Sequence, residues 1–285
     1  MRIGDLSGRT GVSTHQLRAW ERRYGLLRPR RSAGNYRLYS PVDELRVQRM
    51  QRYLADGLPA AHAAELTIAT RFEASAGHGR AVPSREAIAA QEEMRGALAR
   101  FDETSAQRTL ERLFVTFTPT TVMRDVLLPY MHELGEQWSA GRVSVADEHF
   151  ATNFFQARLY AVARNWDRGL GPRALLACAP EEQHTLALMV FGIALHELGW
   201  RITYLGADTP IETLSEVAEI IQPELTVVSA AMRQRLPRHT KKLSSFTERW
   251  SLALGGPGVS ARLAKQAGAR YLDEDPVSAA SAVSL

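Results

Sequence analysis

The sequence predicts a multidomain protein of α and α/β class: a helix-turn-helix head with a β-hairpin wing, an all-helical bundle, and a doubly wound parallel sheet. Three observations predict it. Residues 1–75 are arginine-rich and carry short helical patterns. Residues 88–168 show long apolar periodicity without strand signals. Residues 172–285 alternate short apolar runs with helical patterns, the signature of a parallel sheet.

The chain has 285 residues, which suits about two domains, and 45% hydrophobic against 23% charged residues, so it can bury ordinary cores. No apolar run approaches the ~20 residues of a membrane helix, and the opening MRIGDLSGRT lacks the apolar stretch of a signal peptide. The single cysteine, Cys178, allows no intrachain disulfide. A cytoplasmic protein with no membrane partner is expected.

Charge is unevenly placed. Residues 1–75 hold 13 Arg, no Lys and 7 acidic residues, a net +6 in a chain whose total is only +4. A basic module on a mildly acidic body is the footprint of a head that binds DNA. Within it, Met1–Thr10 reads as a first helix, with Ile3, Leu6 and Val12 facing a small core, and Gly11 as the turn. Ser13 is a good N-cap for the next helix, THQLRAWERRYG, whose Leu17 and Trp20 point inward. Thr14, His15 and Arg18 then lie on the outward N-terminal turns, where a recognition helix meets base edges. Arg22 and Arg23, one turn on, suit phosphates. After the anchors Leu26 and Leu27, RPRRSAGNYR reads as a hairpin turning at Gly34-Asn35, a wing carrying Arg30, Arg31, Tyr36 and Arg37 to the backbone or minor groove.

Residues 71–87 (RFEASAGHGRAVPSREA) are rich in Ala, Gly and Ser and read as a linker between the head (1–70) and the bundle (88–168). Helix breaks are expected near Asp102, Pro119 and Gly141. Trp138 closes the helix LPYMHELGEQW, and Glu148-His149 open the next. This hairpin presents an aromatic face, a carboxylate and an imidazole to one cavity.

Between 172 and 285, RALLACA, RITYLGA, ELTVVSAA and SLALGG read as four strands. Helical patterns separate them, including a basic stretch around 233–249, and the tail after Pro276 reads as frayed. His184 lies just past the end of the first strand, where open α/β sheets bind ligands. Glu182 is placed to hold the far ring nitrogen of His184 and raise its basicity as a metal ligand. Ser229 ends the third strand, and Gly255 and Gly256 end the fourth, where paired glycines let a flat or elongated ligand approach the backbone.

The run RAWERRYGLLRPRRSAGNYRLYSPVDELRVQRM resembles the helix-turn-helix and wing of the MerR family over residues 1–70, with Asn35 intervening between Gly34 and Tyr36. MerR proteins usually continue into a long dimerising coiled coil. Here the linker follows instead, which hands oligomerisation to the C-terminal part. Further on, the spacing W-x9-E-H before an E-x-H loop, then a Ser and a Gly-Gly at successive strand ends, resembles the MerR-type light-responsive regulators that bind cobalamin, the CarH/LitR group. The resemblance covers essentially the whole chain.

It implies a four-helix bundle capping adenosylcobalamin on a Rossmann-like domain of cobalamin-binding type. His184 becomes the lower axial cobalt ligand, Trp138 the cap on the adenosyl face, and Glu148 and His149 its contacts. Ser229, Gly255 and Gly256 line the slot for the nucleotide tail. The implied partners are double-stranded DNA and further copies of the chain, as dimer or tetramer, and no enzymatic activity. Three positions depart from the group: Ala187 where a Gly follows the loop His, Ala231 where a Leu follows the strand-end Ser, and Ser139 where a His adjoins the capping Trp. The alternative is a MerR-type sensor whose C-terminal half binds another tetrapyrrole (haem or a bilin), a small ligand or a partner protein.

Overall fold

The computed structural model describes residues 1–31, 37–55, 58–69 and 85–284. The chain divides into two units, Met1–Ala81 and Val82–Leu285.

In the first unit, helix α1 (Ile3–Thr10) stops at Gly11, whose left-handed φ of 69° reverses the chain. Ser13 Oγ then accepts from the Gln16 N–H at 3.2 Å and starts α2 (Thr14–Tyr24). The core is built from Leu6, Val12, Leu17, Trp20, Leu26 and Leu27, closed by Tyr39, Val47 and Met50. Ile3 only packs against its edge. Strands β1 (Arg30–Arg31) and β2 (Arg37–Leu38) pair antiparallel as the wing. The expected turn at Gly34-Asn35, and Tyr36, lie outside the described residues. Helices α3 (Pro41–Ala55) and α4 (Ala60–Ala69) complete the unit. Buried Asp43 ties the segments together, accepting from the N–H groups of Arg28 and Ser40 at 2.9 Å each and from the Ser40 hydroxyl at 2.7 Å. Most of the expected linker, through residue 84, lies outside the described residues.

The second unit opens with the bundle: α5 (Arg85–Leu98), α6 (Glu103–Thr116), α7 (Pro119–Val122), α8 (Leu128–Ser139) and α9 (Val145–Val162). Each break has a local cause. Asp102 caps α6, Thr118 caps α7 with Pro119 at its start, and Gly141 lies in the turn before the Ser144 capping box of α9. Pro129 has no N–H to give the preceding turn, and residues Met123–Leu127 widen into a π-helical turn just before it.

The sheet is parallel, in the order β4 (Arg201–Gly206), β3 (Arg173–Cys178), β5 (Leu225–Ser229), β6 (Leu252–Gly255), β7 (Arg270–Leu272). Strand β7 is a fifth strand that the apolar pattern did not reveal, because only three residues pair and the first is exposed. Alternate residues of β3 face opposite layers. Ala174, Leu176 and Cys178 join α10 (Leu186–Glu197) and α14 (Pro276–Val283), whereas Leu175 and Ala177 join α11 (Ile211–Ile221), α12 (Thr240–Thr247) and α13 (Ala261–Ala267). Being covered on both faces is what makes β3 apolar throughout.

Two expectations are corrected here. The tail is not frayed: Asp275 caps α14, and Ala279 and Ala280 are buried against α10 and the sheet. Small residues look unremarkable in sequence, but they are what lets this helix lie close. The basic stretch around 233–249 is helical only over Thr240–Thr247, after a 3-10 turn at Pro237–His239; Arg233 to Leu236 form the loop leaving β5. Among the described residues no helix is long and apolar enough to cross a membrane.

The bundle and the α/β layer share one core. Met189, Val190 and Ile193 of α10 belong to the same buried cluster as Met94, Leu110, Met123, Phe154 and Phe155. At the two ends of α10, Gln156 Nε2 donates to Thr185 Oγ1 at 3.2 Å and Thr120 Oγ1 donates to Glu197 Oε2 at 3.1 Å. The bundle therefore sits on α10, beside the loop that precedes it.

Candidate cofactor site and DNA-binding face

Burial of Leu17 and Trp20 turns the opposite face of α2 to solvent. Thr14, His15, Arg18, Arg22 and Arg23 are all exposed there, and so is Gln16, which sequence reasoning passed over. On the wing, Arg30 and Arg31 supply the backbone of β1. Arg37 is already engaged: its Nε donates to Glu21 Oε1 at 3.0 Å.

The second site forms at the C-terminal edge of the sheet, where β3 has neighbours on both sides and the helices leaving β3 and β5 diverge to opposite faces. The loop from β3 to α10 is organised by Glu182, which is 1% exposed. Its Oε2 accepts from the N–H groups of Ala231 at 2.8 Å and Met232 at 2.9 Å. Its Oε1 accepts from the His184 N–H at 3.0 Å and from His184 Nδ1 at 2.5 Å. Burial pushes the Glu182 carboxyl up, but these hydrogen bonds, that from Met232 foremost, outweigh it and hold the pKa below the usual range. An ionised Glu182 favours a proton on Nδ1, so that in the neutral ring the lone pair lies on Nε2. The His184 side chain is 60% exposed, so that nitrogen is presented outward in the form a metal needs.

Helix α9 overlooks this loop. Val145, Glu148, Thr152 and Gln156 recur at helical spacing on one face, and the bond from Gln156 to Thr185 shows where that face looks. Glu148 accepts from Thr152 Oγ1 at 2.6 Å and pairs with His149 Nδ1 at 2.7 Å. Burial opposes its ionisation. The hydrogen bonds from Thr152 and His149, together with the nearness of the His149 and His184 imidazoles, draw its pKa below the ordinary value. Glu148 and His184 thus belong to one electrostatic neighbourhood. Trp138, Val145, Tyr160 and Met232 each leave about half their surface exposed.

Two of the remaining expected residues, Ser229 and Gly255, fall in one row across the sheet with Cys178. Register pairs Cys178 with Ser229 and Ser229 with Gly255. Strand alternation points all three to the face covered by α10 and α14. Three small residues thus stand in line beneath the loop, with the Leu272 side chain packed over Gly255, and Cys178 is a member that the sequence alone did not single out. Gly256 plays a different part from the one expected of it. Its φ is 99°, and a Cβ there would stand 2.5 Å from the Ala230 carbonyl oxygen. The close approach it permits is to the backbone of the loop after β5, where Ala230 and Gly255 also bond at 3.0 Å. Thr152, Gln156 and Thr185 were likewise missed; the i, i+3, i+7, i+11 pattern from Val145 was the available signal.

Residues 1–68 match the MerR HTH family regulatory protein model, and residues 90–163 match the B12 binding domain model. The chain is 31% identical over 255 residues to the HTH-type transcriptional repressor CarH of Myxococcus xanthus, covering 83% of this chain and 85% of that one. It is 33% identical over 240 residues to the repressor CarA of the same organism, covering 83% of this chain and 78% of that one. Among solved structures, the monomethylamine corrinoid protein of Methanosarcina barkeri superposes with a TM-score of 0.57 at 18% identity, covering 69% of this chain and 97% of that one, which shows a shared fold. The chain belongs to the family of CarH and CarA, DNA-binding transcription regulators that join a MerR-type helix-turn-helix to a B12-binding domain.

Proposed function

We propose that this regulator holds adenosylcobalamin between α9 and the loop from β3 to α10, and that light acting on the bound cofactor controls its oligomerisation and its grip on operator DNA. The observation that carries the reading is the single imidazole at the topological switch point, with Nδ1 fixed by buried Glu182 and Nε2 turned outward under a helix face. The donor chemistry suits the group: a neutral imidazole nitrogen would ligate the cobalt of a corrin, and the half-exposed Trp138, Val145, Tyr160 and Met232 would offer apolar surface to a large flat ligand. When bound, adenosylcobalamin supplies a light-labile cobalt–carbon bond. The protein does the rest. His184 holds the metal and Glu182 orients His184. Cys178, Ser229 and Gly255 would line the nucleotide tail, being the smallest side chains of their row. Trp138 excludes water above, and Glu148 and His149 bind polar atoms on that side. Ser139 is a poor metal ligand beside an imidazole. Of the bundle histidines, His132 and His149, the latter would be the better candidate to hold a metal, since it adjoins Glu148, which pairs with its Nδ1.

In this reading residues 1–70 read DNA, 88–168 cap the cofactor and 172–285 hold it. The assembly is a dimer or tetramer built through the C-terminal part, in the cytoplasm, with no catalytic step. The test is an absorption titration with adenosylcobalamin in the dark. Wild type is expected to bind with the spectrum of imidazole coordination, and His184→Ala to bind at least tenfold more weakly or without that spectrum. Equal affinity and spectra would place the lower ligand elsewhere. Uptake of haem or a bilin in preference to the corrin would favour the other tetrapyrrole.

A further inference from the structure

We infer that Glu21 is a positioning residue for DNA recognition, which locks the wing to the recognition helix and withholds Arg37 from indiscriminate phosphate binding. Glu21 lies on α2, three residues after Arg18 and so on the same side of the helix. Both of its oxygens are committed to β2 and the residue following it. Oε1 accepts from Arg37 Nε at 3.0 Å, and Oε2 accepts from Tyr39 Oη at 2.8 Å. The carboxylate is well shielded, its side chain 17% exposed, while Arg37 is 49% exposed. Tyr39 is itself anchored: it is buried in the head core, and its N–H donates to the Met1 carbonyl at 2.9 Å. Burial first, then the bond and charge of Glu21, hold the Tyr39 phenol protonated as a donor, while the charges of Arg37 and Arg18 act the other way. Arg18, Glu21, Arg37 and Tyr39 are thus one cluster joining the helix that reads bases to the strand that carries the wing.

A carboxylate on a face that meets DNA repels every duplex alike, so its presence calls for a compensating role. Here it fixes the distance between the major-groove reader and the wing, so that both engage only a duplex of matching groove shape. It also occupies a guanidinium that would otherwise add sequence-independent affinity.

The test uses the full chain, a duplex selected by the wild type from a random library, and a scrambled duplex of equal composition, each over a salt series. Glu21→Ala is expected to bind the scrambled duplex several-fold more tightly and the selected one more weakly, compressing their ratio at least tenfold. Its salt dependence should steepen by about one phosphate contact as Arg37 is released. Adding Arg37→Ala should restore the slope and leave the ratio compressed, whereas Glu21→Gln, which keeps an acceptor, should lie between. Tyr39→Phe, which removes a single hydrogen bond, should lower the ratio without changing the slope, and it carries the test if Glu21→Ala melts the head by circular dichroism. An unchanged ratio in Tyr39→Phe and in whichever Glu21 variant folds would overturn the inference.

Discussion

At the scale of single residues, one buried carboxylate governs what the sensor half offers its ligand. Glu182 accepts four hydrogen bonds, two from the loop after β5 and two from His184. It therefore shapes the loop and sets the imidazole tautomer together. Glu182→Gln keeps the size and one carbonyl acceptor, but its amide has to point N–H groups at donors already present. Leaving such a donor buried without a partner costs about 1–3 kcal/mol. The variant is expected to fold and to bind corrin tenfold or more weakly, read by absorption titration; undiminished affinity would show that the orientation of His184 is set by something else. This pair was legible in the sequence because a single residue, Gln183, separates a carboxylate from an imidazole at a strand end. Gly256 was only half legible. A glycine announces close approach, but not whether ligand or backbone comes near, and here the neighbour is Ala230. Cys178 was invisible for a similar reason, since strand register, which no local pattern encodes, lines it up with Ser229 and Gly255.

Among elements, helices that carry both a cap and an apolar run were readable, whereas α14, capped by Asp275 but without such a run, was not. Asp102, Thr118 and Ser144 announce the starts of α6, α7 and α9. The final helix, PVSAASAV, has no such apolar stripe, and its place is set by contact: Ala279 and Ala280 are buried beside Leu195 and Leu272. Ala280→Asp would bury an unpaired charge there, at a cost of about 3–5 kcal/mol. Thermal unfolding of the second unit should fall well below that of wild type, with α10 loosened and corrin binding weakened in parallel. A melting temperature within about 2 °C of wild type would mean that this helix contributes little to the fold. The row of Cys178, Ser229 and Gly255 faces the layer that this helix belongs to, so a loosened α14 and a weakened cofactor site would be one effect seen twice.

At the scale of the whole chain, coupling rests on the core that the bundle shares with α10. Met189, Val190 and Ile193 project into the bundle, and polar bonds at Thr185 and Glu197 pin both ends of the helix. A ligand held between α9 and the His184 loop touches both partners of that interface, so its arrival or alteration changes how they pack. The order of head, bundle and sheet could be read from charge and periodicity, whereas this shared core could not, because α10 is apolar on every side and its pattern names no partner. The most direct measurement is the affinity of the full chain for its selected duplex under three conditions: without cofactor, with adenosylcobalamin in the dark, and with the same sample after illumination. Binding is expected to be at least tenfold tighter in the dark with cofactor than without, with that gain lost on illumination. The same affinity in all three would contradict this coupling.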